Sequence, residues 1–138
     1  MLDLSLAPPS IVRLVAWLHS EGYSIVSEQR AERNNQFAEY RCGSRVIGLT
    51  ADRGEWSITG GTSSMTDCFH PDEWEAFLDG FELAGDLSDL DHQVDFVTGR
   101  WRDAIRIANQ QPGAESELRL IGRDYVRRRF GFVPPGSP

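Results

Sequence analysis

Apolar residues change their period twice along the chain. Ile11, Leu14, Val15 and Leu18 recur at helical spacing. Pro8-Pro9-Ser10 precedes them as a start signal, with Ser10 the expected N-cap, and Gly22 follows as the stop. The period then falls to two. It predicts strands over Tyr23–Glu28, Phe37–Cys42, Arg45–Thr50 and Trp56–Thr59. A polar Ala31–Gln36 segment, Gly43-Ser44 and Asp52–Glu55 separate them as turns, and connections this short require an antiparallel meander. Gly60-Gly61-Thr62-Ser63-Ser64 reads as a loop.

Helical spacing returns in three later segments. Trp74, Phe77, Leu78 and Phe81 form one aromatic stripe, expected to face the core, behind Pro71 in a first turn. Leu90, Val94, Val97, Trp101, Ile105 and Ala108 predict a helix of about twenty residues and about 30 Å, with Ser88 and Asp91 as its cap and Gly99 as a mild internal weakness. Leu118, Ile121, Tyr125 and Val126 mark the inner face of a last helix over Glu115–Phe130, closed by Gly131. The expected fold is α+β: an N-terminal helix, an antiparallel four-stranded meander, then three C-terminal helices packed on the sheet. One domain is expected over 1–138, with an ordered core over about 10–131 and a loose Pro/Gly tail over 132–138.

Charge sharpens this picture at one place. Asp67–Asp95 holds ten carboxylates and no Arg or Lys, within a chain of net charge −7. Such a block is either a solvated face or a surface for a basic partner. The net charge opposes binding to a phosphate backbone, so no nucleic-acid partner is expected. Arg123, Arg127, Arg128 and Arg129 form a basic helix end that complements the dipole and could pair with the acidic stretch. All fourteen basic residues are Arg, which genomic codon bias explains as well as function does. No segment has the ~20 apolar residues of a membrane helix, and no basic leader opens the chain, so a cytoplasmic protein with reduced thiols is expected.

Candidate chemistry adds little. Cys68-Phe69-His70 with Cys42 and His92 supplies soft ligand types, but zinc sites favour tight pairs such as C-x2-C. Cys68 beside His70 or His92 lacks any flanking nucleophile signature, and so many carboxylates make an acid–base pair uninformative. Gly60–Ser64 has no Lys and no phosphate-loop spacing. No catalytic residue, metal or cofactor is therefore expected, and the chain reads as a binding protein rather than an enzyme.

Trp17-Leu18-His19-Ser20-Glu21-Gly22-Tyr23-Ser24-Ile25, the strands through Arg45-Val46-Ile47 and Trp56-Ser57-Ile58-Thr59, and the aromatic segment Pro71–Phe81 carry a family likeness. Over about the first 80 residues the chain resembles immunity proteins of bacterial polymorphic toxin systems, nearest in architecture to the actinobacterial type that neutralises secreted NAD-glycohydrolase toxins. The resemblance implies a cognate protein toxin with a basic surface as partner, inhibited by occlusion of its cleft. It points to Asp72, Glu73, Glu75, Asp79 and Glu82 as partner-binding acids, with Trp56 and Trp74 as anchors. Two other readings stand beside it: an acidic inhibitor that mimics nucleic acid, and a small enzyme using Cys68 or a carboxylate.

Overall fold

A computed structural model describes residues 2–32 and 35–131. The tail expected over 132–138, and part of the first expected turn, lie outside the described residues. Helix α1 (Pro9–Ser20) leads into four strands, β1 (Ser24–Glu32), β2 (Asn35–Cys42), β3 (Arg45–Asp52) and β4 (Glu55–Thr62). Helices α2 (Pro71–Asp79), α3 (Leu90–Gln110) and α4 (Ala114–Phe130) follow. The strands pair in sequence order, each antiparallel to the next. This is the α+β meander with one leading and three trailing helices.

Side chains alternate across the sheet as the pleat requires. Ala38, Tyr40, Ile47, Leu49 and Ile58 are buried toward the helices. They meet Leu14 and Leu18 of α1, Trp74 of α2, Val94, Val97, Trp101 and Ile105 of α3, and Leu118 of α4 in one apolar cluster. Helix α3 packs on both α1 and β4, and α4 packs on α2 and α3. The indole rings of Trp74 and Trp101 meet edge to face, 5.0 Å apart at 83°, a favoured geometry for two large buried rings.

Several sequence expectations shift in register. Ser10 is buried inside the first turn of α1, whose N-cap is Pro8. Pro9 already takes helical backbone there, so the helix begins before the Ser10 hydroxyl can cap it. Asp89, rather than Ser88, caps α3 by accepting from the His92 N–H. Most of the polar 31–36 segment is strand rather than turn, because β1 runs to Glu32 and β2 starts at Asn35. There the buried Gln36 amide accepts from the Asp3 N–H at 2.7 Å and donates to the Asp3 carbonyl at 2.9 Å. A polar side chain thereby completes backbone pairing at the sheet's end.

The largest correction concerns Gly60–Thr62. These residues are not a loop but the buried end of β4. Gly60 exchanges two backbone hydrogen bonds with Phe69, at 2.9 and 2.8 Å. A Cβ at Gly60 would lie 2.5 Å from the Trp101 ring. The glycine marks a close approach between strand and helix.

Phe81 also departs from expectation. Helix α2 stops at Gly80, whose φ of 72° a glycine adopts without strain. The stripe is cut before its fourth member, and Phe81 is 44% exposed. Phe77 and Leu78 are half-buried against the core, and Trp74 is fully buried.

Candidate functional site

The acidic stretch begins with a helix start built from its own side chains. Pro71 fixes the first turn of α2, and His70 stands before it in extended backbone. The His70 Nδ1 accepts from the Asp72 N–H at 3.0 Å, while Glu73 Oε1 accepts from the His70 N–H at 2.9 Å. This is a capping box with histidine in place of serine. Burial pushes the His70 imidazole below its ordinary pKa, against the opposing pull of Asp72. Burial pushes Glu73 up, and the His70 N–H offsets part of that rise. The sequence signal was a Glu three residues after a polar residue, with Pro between them.

The remaining carboxylates of α2 are also engaged. Asp72 is buried, and its two oxygens accept from the N–H and hydroxyl of Ser88. Glu75 Oε1 lies 2.9 Å from His92 Nε2 on α3, a hydrogen bond that raises the His92 pKa. Asp79 and Arg100 form a two-bonded pair at 2.8 and 2.7 Å, and that hydrogen bonding holds the Asp79 carboxyl below its usual range. Further out, Arg119 meets Asp67 at 2.9 Å and Arg13 meets Asp95 at 2.9 Å. Arg129 pairs with Asp86. Arginines distant in sequence therefore neutralise much of the block.

The residues singled out by the sequence do not form one patch. Asp72, Glu75 and Asp79 fasten α2 to its neighbours, and Glu73 closes its cap. Trp74 lies in the core with its indole Nε1–H donated to the Gly60 carbonyl at 2.8 Å. Trp56 is half-buried at the start of β4, on the same strand face as Gly60 and about 13 Å along it. Glu82 is exposed and, among the described residues, has no ion-pair partner.

Glu82 belongs to the segment 80–89 between α2 and α3, which sequence periodicity passed over. Its backbone is pinned to α4: the Leu83 carbonyl accepts from Arg128 Nε at 3.0 Å, and the Gly85 carbonyl accepts from the Tyr125 hydroxyl at 3.1 Å. The Asp86–Arg129 pair and the Ser88–Asp72 bonds hold its far end. Leu83 is buried, whereas Phe81 and Leu87 are 44% and 41% exposed. Exposed Glu82 and Asp89 lie in the same segment, and exposed Asp91 stands in the following turn of α3. The result is a braced loop presenting two large apolar side chains among acids.

Soft ligands do not converge. Cys42 sits 3.6 Å from the Glu21 carbonyl and 3.2 Å from Arg45 Nη2, while Cys68 lies at the β4 end against Gly61, and both are free thiols. Burial raises the Cys68 pKa, which disfavours the reactive thiolate. Among the described residues, Asp72, Glu75 and His92 are the group whose ligand-type atoms lie within 4.8 Å of one another. The His92–Glu75 hydrogen bond already occupies one of those atoms on each side. Among the described residues no helix is long and apolar enough to cross a membrane. Comparison with protein-family models, with curated proteins and with solved structures finds no match to this chain.

Proposed function

We propose that the chain is a cytoplasmic immunity protein that binds a cognate toxin domain with a basic surface and acts by occlusion rather than catalysis. The observation that carries this reading is the braced 80–89 loop, which holds Phe81 and Leu87 out to solvent between Glu82, Asp89 and Asp91. Exposed aromatic and aliphatic side chains supply desolvation energy at an interface, and surrounding acids speed encounter with a basic partner. Bracing by Arg128, Tyr125 and Arg129 lowers the ordering cost of association.

Co-purification with the product of the neighbouring gene, together with rescue from that product's toxicity, tests the proposal. Retention and rescue support it; neither one occurring would sink it. Phe81→Ala should weaken retention by about 30-fold or more if Phe81 is an anchor.

A further inference from the structure

A second concave surface lies away from the acidic loop, between the β2–β3 turn and the C-terminal half of α3. It is an open groove of about 530 Å³, comparable in volume to small-molecule sites. Arg45 enters it from the start of β3, and Arg102 and Arg106 enter from α3. Those two are four residues apart and share one helix face. Ser44 and Asn109 add neutral donors, and Ile105 gives the cleft an apolar wall. Among the described residues no carboxylate lines it. In a chain of net charge −7, three guanidiniums gathered with two acids, Glu21 and Asp103, beside them leave a local excess of positive charge.

Their existing contacts leave donors over. Arg45 Nη2 donates to Cys42 Sγ at 3.2 Å, and its guanidinium lies 5.4 Å over the Tyr23 ring, which orients it. Arg102 Nη2 meets Glu21 at 3.0 Å, and Arg106 Nη2 meets Asp103 at 3.4 Å. The Arg106–Asp103 pair is solvent-exposed, hence weak and displaceable, while Arg102 keeps an exposed guanidinium against a half-buried Glu21. A guanidinium carries five N–H donors, so each has further ones to offer.

We propose that this cleft binds a small phosphate-bearing molecule. A phosphate group presents oxygens in several directions and can accept from guanidiniums on β3 and α3 together, where a planar carboxylate serves fewer. The cleft's volume and the acidic field around it select a small ligand over a phosphate polymer. Nothing in this site overlaps the residues proposed to meet the protein partner, so either reading can fail alone.

Titration calorimetry of the full chain with pyrophosphate tests it. Saturable one-to-one binding is expected, with Arg102→Gln and Arg106→Gln each weakening it about tenfold. Both side chains are exposed, so circular dichroism of the variants should match the parent chain. Heat reproduced by sodium chloride at matched ionic strength, or variants that bind as the parent does, would overturn the proposal.

Discussion

The two halves of the acidic stretch look alike in sequence and behave differently in the fold. From Asp67 to Asp79 the carboxylates are structural: Asp72 ties the start of α2 to Ser88, Glu73 caps it, and Glu75 and Asp79 join α2 to α3. From Gly80 to Asp91 two backbone carbonyls, the Asp86–Arg129 pair and the Asp89 cap do the fastening, and side chains such as Phe81, Glu82 and Leu87 are left outside. Charge density therefore does not identify a docking surface. What separates the halves is that every carboxylate of α2 is engaged, whereas the following loop leaves Phe81, Glu82 and Leu87 outside.

The two aromatic residues Trp74 and Phe81 should separate the halves most widely. Trp74→Ala removes a fully buried indole and its bond to Gly60, and should lower the unfolding free energy by about 3–5 kcal/mol. Phe81→Ala should change it by only about 0.5 kcal/mol while weakening partner retention. Urea denaturation of both variants measures the difference; equal losses would mean that Phe81 is also a structural residue. Next in size is Gly60→Ala, which sets a methyl group against the Trp101 ring beneath Trp74. A loss of about 1–3 kcal/mol is expected, since neither ring can move without disturbing the other.

Acid should loosen the structural half through His70. Its folded pKa lies below the ordinary 6.5, so the native state resists protonation that the unfolded chain accepts. The stability of the cap is present above 6.5 and is lost as pH falls through that value toward the lowered one. Protonated Nδ1 can no longer accept from the Asp72 N–H, although the Asp72 charge nearby tempers the effect. His92 acts oppositely: Glu75 raises its pKa, so its contribution is present below 6.5 and fades as pH rises. His70 is the more buried of the two and should dominate. Denaturation midpoints measured between pH 5.5 and 8 should therefore rise with pH. His70→Asn keeps an acceptor without titrating, and should reverse the weak remaining slope; a slope unchanged by it would remove His70 as the cause.

Element type was legible in the sequence because burial imposes its period on the side chains. Leu14, Leu18, Val94, Val97, Trp101 and Leu118 all reached the core as their spacing requires. Close approach left a misleading mark: Gly60-Gly61 carries loop composition, yet Trp101 needs the missing Cβ. The acidic block misled for a related reason. Its neutralising residues, Arg13, Arg100, Arg119 and Arg129, stand outside it in sequence, and the packing of α1, α3 and α4 brings them near. The 80–89 loop has no period at all, so its exposed Phe81 was absorbed into a helical stripe that Gly80 ends.

The smallest expected effect on stability is the one that most directly divides the two halves. Asp79→Lys breaks an exposed two-bonded pair with Arg100 and sets two positive charges together. Solvent screening limits the loss to about 1 kcal/mol or less, and added salt should shrink it further. Because Arg100 holds the Asp79 carboxyl below its ordinary 3.8, the pair's contribution is present above that value and is lost as pH falls through it. Glu82→Lys meets no ion-pair partner among the described residues, and should leave folding within about 0.5 kcal/mol of the parent. On the partner the order inverts. Reversal at Glu82, the same change of charge, should slow association, most at low ionic strength, whereas Asp79→Lys should slow it less because Arg100 already offsets that charge. Association rates measured at two salt concentrations decide it, and equal slowing by both variants would show that the acids act as one diffuse field.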